Sequence, residues 1–198
     1  MCLLLETIKI QHGVACNLAL HQQRMNKSRS LLFSAENEIS ISDLISNQAS
    51  SLNALHKCRI IYGKEVVKIE FLPYTPKPIH SLKLIENNQI DYSMKFENRN
   101  QINKLFLQRQ QCDDILIIKN AFVSDTSYCN IIFSDGINYY TPFTALLKGC
   151  KRQSLINKGL IQEAEIRKTD IRLFKKAILI NSMIELEDNF EIPIRNII

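Results

Sequence analysis

The segment Lys95-Phe96-Glu97-Asn98-Arg99 places a lysine and an arginine close together, just ahead of a helical pattern. A lysine amine is a nucleophile and a base once it sheds its proton, which burial and a neighbouring cation both promote. Further on, Asp113-Asp114 precede an apolar run, Ile115 to Ile118, then a turn at Lys119-Asn120, then Asp125 and Asn130. Upstream lies His21-Gln22-Gln23-Arg24; downstream lie Leu147-Lys148-Gly149-Cys150-Lys151-Arg152 and Asn181-Ser182.

Taken one at a time, these residues read as ordinary. Lys95 is one of many lysines, Asp125 passes for a turn or strand-end acid, and Arg24 sits on an amphipathic helix where a surface ion pair is the default. The four histidines, His12, His21, His56 and His80, lack metal-ligand spacing, so no metal site is expected. There is no G-x-S-x-G elbow, no G-x-G-x-x-G and no Walker loop, and five glycines could hardly build one.

Composition narrows the class. With 198 residues, 45% hydrophobic and 23% charged, the chain suits one large or two small globular domains. The net charge of +5 is scattered, with no run of like charge, which gives nucleic-acid binding little support. Six dispersed cysteines without a C-x-x-C pair read as reduced thiols. Met1-Cys2-Leu3-Leu4-Leu5 is too short for a signal peptide or membrane span, so a cytoplasmic protein with no membrane partner is expected.

The elements that must position these residues follow from pattern. Leu3 to Ile10 predicts a strand, Gln11-His12-Gly13 a turn, and Val14 to Leu18 the second arm of a hairpin. A helical period covers Leu20 to Phe33, and Ser40 or Ser42 caps a helix carrying Leu44, Ile45 and Ala49. Cys58 to Tyr62, Gly63-Lys64 and Val66 to Phe71 predict a hairpin. Three prolines between Pro73 and Pro78 mark a boundary, giving a small α+β domain over residues 1–75 and a larger domain over 76–198. The second part predicts a strand from Ser81 to Glu86, a turn at Asn87 to Gln89 and a helix from about Asn98 to Arg109. Strands follow at Ile115 to Ile118, Cys129 to Phe133 and Ile137 to Tyr140, with a turn at Asp135-Gly136 and Thr141-Pro142 breaking the ladder. Helices at Arg152 to Leu160 and Asp170 to Phe174, a strand at Ala177 to Ile180 and strand-like pieces over Glu185 to Ile198 complete the chain. The expected fold is α+β, with mixed, largely antiparallel sheets and flanking helices.

Six of these signals, in this order, resemble the class IV aminotransferase family, the fold type IV pyridoxal-phosphate enzymes with a two-domain, D-amino-acid aminotransferase-like fold. Lys95 with Asn98-Arg99 is similar to the lysine motif of the aminodeoxychorismate lyase branch. Asp113-Asp114, the strand, Asp125 and Asn130 match the family's acidic pair, ring-nitrogen acid and asparagine. Thr141-Pro142 and the Gly149-to-Arg152 loop match the phosphate loop; Glu6-Thr7-Ile8-Lys9 and His21-to-Arg24 match the small domain; Asn181-Ser182 matches a phosphate-contacting turn.

The resemblance implies pyridoxal 5'-phosphate as cofactor, Lys95 as its Schiff-base and proton-transfer residue, and Arg24, Lys95, Asp125, Cys150, Lys151 and Ser182 as cofactor-binding residues. Arg99 would bind substrate. The chemistry is coherent: the ring nitrogen stays protonated only beside an anion, and a phosphate needs a bidentate cation, backbone amides and a hydroxyl. A homodimer, with the site between the domains and near the partner subunit, is implied in the same way. Three departures stand out: Asp125 replaces a glutamate, Lys151 replaces a threonine, and the segment before the first strand is short. The implied activity is that of an aminodeoxychorismate lyase serving folate synthesis, releasing pyruvate and 4-aminobenzoate. The alternatives are a D-amino-acid or branched-chain aminotransferase, or an inactive member kept as a binding module.

Overall fold

The computed structural model describes residues 2–188 and 190–198; Met1, in the apolar N-terminal run, and Asn189, in the C-terminal strand-like stretch, lie outside the described residues. The chain divides into two compact units. The first comprises the chain up to Pro76 together with Met94–Asn98, and the second comprises Lys77–Ser93 and Arg99–Ile198. Lys95 therefore groups with the first unit, although it lies beyond the proline-rich segment in sequence.

In the first unit β1 (Leu4–Gln11), β2 (Val14–Ala15), β3 (His56–Tyr62) and β4 (Val66–Pro73) form an antiparallel sheet in the order β2-β1-β3-β4. His12 and Gly13 link β1 to β2 with φ of 49° and 78°, the two positive values that a two-residue hairpin of matching twist requires. The second arm is shorter than its apolar residues suggest. Asn17 adopts a left-handed conformation with φ 52° and turns the chain into α1 (Leu18–Phe33). α2 (Ile41–Ala49) starts at Ser40, whose side chain accepts from the Asp43 amide at 3.2 Å, and it buries Ile41, Ile45 and Ala49 along one stripe. These residues pack with Leu4, Ile8, Ile10, Met25, Cys58, Ile60 and Tyr62 into one core.

The second unit contains two sheets. β5 (Leu82–Glu86), β6 (Asp114–Lys119) and β7 (Phe122–Thr126) make a three-stranded sheet, parallel between β5 and β6 and antiparallel between β6 and β7. α3 (Asn100–Phe106), extended by a 3-10 turn from Leu107 to Arg109, precedes β6. β8 (Asn130–Ser134), β9 (Tyr139–Pro142), β10 (Gln162–Ala164), β11 (Lys176–Ile180) and β12 (Glu191–Pro193) form a five-stranded sheet in the order β10-β9-β8-β11-β12. Ile131, Phe133, Ala177 and Leu179 pack on one face, while Ile132, Ile178 and Ile180 pack on the other with Leu155 of α4 (Cys150–Asn157). Burial on both faces explains why these strands read as continuous apolar runs rather than alternations.

Several boundaries move for local physical reasons. The strand predicted from Ile137 begins at Tyr139, because Asp135 Oδ1 takes the Ile137 and Asn138 amides at 2.8 and 2.7 Å and withdraws them from the ladder. Thr141-Pro142 does not end the strand. The β8 ladder reaches only Tyr140, and beyond it Thr141 and Pro142 align with Glu163 and Ala164 of β10, a strand the pattern did not reveal. The Arg152 helix starts two residues earlier, at Cys150, and the helix expected over Asp170 to Phe174 is a 3-10 segment from Lys168 to Leu173. Among the described residues no helix is long and apolar enough to cross a membrane.

Candidate active site

Lys95 lies outside any helix and is held by its backbone. Its carbonyl accepts from the Leu5 amide at 2.9 Å, Phe96 bridges Leu4, and the Glu97 amide donates to Leu3 O at 2.9 Å. The segment thus adds to β1, whose next residue is Glu6. Glu6 has no exposed surface, and it is fixed from α1. Arg24 donates Nε to Oε1 at 2.8 Å and Nη2 to Oε2 at 2.5 Å, and His21 Nδ1 lies 2.6 Å from Oε2. His21 and Arg24 are three residues apart, so they share one face of the helix. Burial by itself would raise the Glu6 carboxyl, but Arg24 above all, with His21, pulls it down to about 2. For His21, burial lowers the pKa, the Glu6 carboxylate opposes that, and the charges of Arg24 and Lys95 push it lower. The ring is therefore neutral and donates from Nδ1 to the carboxylate.

In the second unit Asp125 is the fourth residue of β7 and is 6% exposed. Asn130, which opens β8, donates Nδ2 to Asp125 Oδ1 at 2.7 Å and to the Leu147 carbonyl at 2.8 Å. The Leu147 amide donates to Asp125 Oδ2 at 2.9 Å. The loop after β9 is stapled to β7 twice more, by Ser124 Oγ to Thr144 O at 2.7 Å and by Thr144 Oγ1 to Val123 O at 2.6 Å. Burial raises the Asp125 carboxyl to about 6, against the Leu147 amide, the Asn130 side chain and the charge of Arg152. The turn between β7 and β8 is closed by Thr126, whose Oγ1 accepts from the Cys129 amide at 3.0 Å, and Arg99 donates Nη2 to the Ser127 carbonyl.

The same loop ends at Gly149, where α4 begins. A Cβ on Gly149 would overlap Asn130 Oδ1, so any larger residue there would have to push the carboxamide aside. Among the described residues no side-chain hydrogen bond caps the α4 N-terminus at Gly149. Cys150, Lys151 and Arg152 follow, all buried; Lys151 pairs with Glu185, and Arg152 donates Nη2 to Pro142 O at 2.9 Å and to Glu163 Oε1 at 2.6 Å. Ser182 lies in the turn from Asn181 to Ile184, which the Asn181 side chain holds by accepting from the Met183 amide at 2.7 Å.

The structure thus gathers the sequence candidates into two sets. Arg24 and Lys95 sit with Glu6 and His21; Asp125 and Cys150 sit with Asn130, Leu147 and Gly149, and Lys151 pairs with Glu185 beyond the turn of Ser182. Sequence reasoning quoted Glu6 and His21 within motifs but gave them no role. Their signal was a charged residue inside an apolar strand and a histidine one helical turn before an arginine. Glu185 and the Leu147 amide carried no signal.

Comparison with known proteins gives the family. Residues 3–188 match the amino-transferase class IV family. An uncharacterised protein of Haemophilus influenzae is 38% identical over 182 residues, 91% of this chain and 97% of the relative. The crystal structure of a candidate 4-amino-4-deoxychorismate lyase from Haemophilus somnus 129pt superposes with a TM-score of 0.88 at 33% identity, covering 94% of this chain and 98% of that one. A hypothetical aminotransferase from Mycobacterium tuberculosis, solved with pyridoxal phosphate bound, shares the fold, with a TM-score of 0.75, 16% identity and coverage of 91% of this chain and 78% of its own. The chain belongs to the class IV aminotransferase family, and it is a pyridoxal-phosphate-dependent enzyme of fold type IV.

The residues present fit that cofactor. Asp125 is a buried carboxylate whose hydrogen-bond donors, the Asn130 amide and backbone N–H groups, are neutral. That leaves its lone pairs for a ring N–H, while burial, outweighing its neighbours, raises its pKa. The uncapped α4 N-terminus and the Gly149 backbone suit a phosphate, and the primary amine of Lys95 suits an aldehyde.

Proposed function

We propose that this enzyme is a lyase acting on 4-amino-4-deoxychorismate and releasing pyruvate and 4-aminobenzoate. The observation that supports this reading is the similarity to the Haemophilus somnus protein over nearly the whole of both chains. The motif Lys95-x-x-Asn98-Arg99 points the same way, since it resembles the lyase branch more than the transaminases.

Bound pyridoxal phosphate supplies an electron sink for charge developing at the amine-bearing carbon. Lys95 would supply the primary amine that holds its aldehyde and the base that takes the proton from that carbon. The same Nζ returns a proton to the methylene carbon of the departing enolpyruvyl group. Asp125, kept in place by Asn130 and Leu147, would hold the proton on the ring nitrogen. In the second unit the amides of Cys150 and Lys151 and the Ser182 hydroxyl would bind the phosphate; in the first unit Arg24 is the candidate phosphate cation. Arg99 would bind a substrate carboxylate. A homodimer and a place in folate synthesis belong to the same proposal.

The test is direct. Purified protein loaded with pyridoxal phosphate is mixed with 4-amino-4-deoxychorismate, and pyruvate and 4-aminobenzoate are measured together. Equimolar formation of both is expected. No pyruvate, with keto acid formed instead from a panel of D- and branched-chain amino acids, would replace the lyase reading with a transaminase.

A further inference from the structure

We propose that Asn181 is a positioning residue for this reaction, its carboxamide fastening the turn that carries Ser182 to Cys129, so that the phosphate and ring-nitrogen ends of the cofactor are gripped from neighbouring points of one strand. The inference rests on the reading above, in which Ser182 contacts the phosphate and Asp125 the ring nitrogen.

β8 and β11 run antiparallel, with Leu179 opposite Ile131 and Ile180 opposite Asn130. Continued by one residue, that register sets Asn181 opposite Cys129, just past the last ladder pair. Both ends of the Asn181 side chain are engaged there. Its Oδ1 accepts from the Met183 amide at 2.7 Å and the Ile184 amide at 3.1 Å, and its Nδ2 donates to Cys129 Sγ at 3.2 Å. Backbone amides can only donate, so the oxygen must face the turn and the nitrogen the sulfur. The main chain closes the same turn, Asn181 N to Ile184 O at 3.3 Å and Ile184 N to Asn181 O at 3.2 Å. Side chain and main chain together thus fold residues 181–184, with Ser182 inside, and the Nδ2 bond ties that fold to Cys129.

The turn itself needs only an acceptor at position 181, which aspartate would also offer. Asparagine adds a donor, and the structure spends it on Cys129. Cys129 is a firm anchor: its amide donates to Thr126 Oγ1 at 3.0 Å, and its carbonyl accepts from the Thr126 amide at 3.0 Å. Burial pushes its thiol up to about 12, so it meets Asn181 as a neutral sulfur. Such a sulfur is a weak acceptor, and the bond matters for direction more than for strength. The next residue, Asn130, donates to Asp125 at 2.7 Å. Asp125 therefore hangs from residue 130 and the Ser182 turn from residue 129. A rigid ring that carries its phosphate at one place and its nitrogen at another needs those two grips at a fixed spacing, which only supporting contacts of this kind maintain.

The experiment measures affinity for pyridoxal phosphate and for pyridoxal in wild type, Asn181→Ala, Ser182→Ala and the double variant. Asn181→Ala is expected to weaken pyridoxal phosphate binding by about five- to tenfold, the scale of one lost hydrogen bond, and to change pyridoxal binding by less than about twofold. On the Ser182→Ala background the same substitution should cost little more, because the two residues act as a unit. Cys129→Ala leaves the acceptor of the turn in place and removes only its anchor, so it should reproduce part of the loss. Equal losses for the two ligands, or an Asn181→Ala loss that adds in full to that of Ser182→Ala, overturn the proposal, since the turn then serves the fold alone. Unchanged affinity in Asn181→Ala overturns it as well. If Asn181→Ala does not fold, Cys129→Ala decides: a loss confined to pyridoxal phosphate supports the proposal, and any other result overturns it. Wild-type protein that takes up no pyridoxal phosphate puts the fault in the cofactor reading, and the role of Asn181 falls with it. Uptake by wild type with a null result in the variants puts the fault in the proposal alone.

Discussion

Asn130 holds Asp125 from one side while its own carboxamide oxygen lies where a side chain at position 149 would have to go. The acid, the amide and the glycine are therefore one mechanical unit, although the rest of β8, all of β9 and the loop after it separate Asn130 from Gly149 in sequence.

Gly149→Ala tests that unit. Its φ of −66° is accessible to alanine, so any penalty comes from crowding and not from the backbone. The new methyl must displace the Asn130 carboxamide, loosening its bonds to Asp125 and to Leu147. The expected cost is about 1–3 kcal/mol, the range for overpacking a close-packed site. It should appear in urea unfolding together with weaker pyridoxal phosphate binding. A variant as stable and as tightly loaded as wild type would show that the site gives way easily.

Asp125 should also make the apoprotein less stable as pH rises through the acid range. Its folded pKa of about 6 lies above the ordinary 3.8. Between those values the folded state binds more proton than the unfolded state, so this contribution falls as pH rises through the window and is lowest above it. Asp125→Asn removes the titration. The stability of Asp125→Asn relative to wild type should thus improve steadily between pH 4 and pH 7, by about 2 kcal/mol, while its cofactor affinity drops. A relative stability independent of pH would mean that Asp125 is not desolvated.

Much of this arrangement was legible because it follows local rules. Strands such as Ile131 to Phe133 and Ala177 to Ile180 announced themselves by unbroken apolar runs, and Ser40 by its capping chemistry. Asp125 and Lys95 emerged only from the order of weak motifs. The helix expected from about Asn98 starts at Asn100, and what fixes the Lys95 segment is a pair of backbone bonds to Leu3 and Leu5. Such pairings depend on strand neighbours remote in sequence, and periodicity does not report them. Glu6 looked like an interruption of a strand because the pattern records hydropathy, whereas its burial depends on partners on α1. Glu185 and Leu147 are tertiary facts with no local signature.

Lys95→Ala should leave the fold intact, since backbone hydrogen bonds join this segment to Leu3 and Leu5. Circular dichroism and unfolding should match wild type. Turnover should fall by roughly 10²–10⁴-fold or more, the range attached to a positioned proton-transfer group. Borohydride treatment of loaded wild-type protein should leave a reduced cofactor adduct on the peptide containing Lys95, detectable by mass spectrometry, and none in the variant. An adduct on another lysine would move the catalytic assignment.

Glu6 gives the sharpest separation between stability and binding. Its folded pKa of about 2 lies below the ordinary 4.5, because Arg24 and His21 outweigh its burial. A depressed carboxyl contributes stability that is complete above the unfolded pKa and lost as pH falls from about 4.5 toward 2. The size is about 3 kcal/mol by that linkage, which agrees with the cost of roughly 3–5 kcal/mol for breaking a buried pair. Glu6→Gln should therefore be less stable than wild type at pH 7, and the gap should close on acidification. The same variant frees Arg24 from its bidentate lock. If Arg24 is aimed at the phosphate by Glu6, affinity for pyridoxal phosphate should fall while affinity for pyridoxal, which lacks the phosphate, changes little. Equal losses for both ligands would show that the pair serves the core of the first unit and leaves the phosphate to the α4 loop and Ser182.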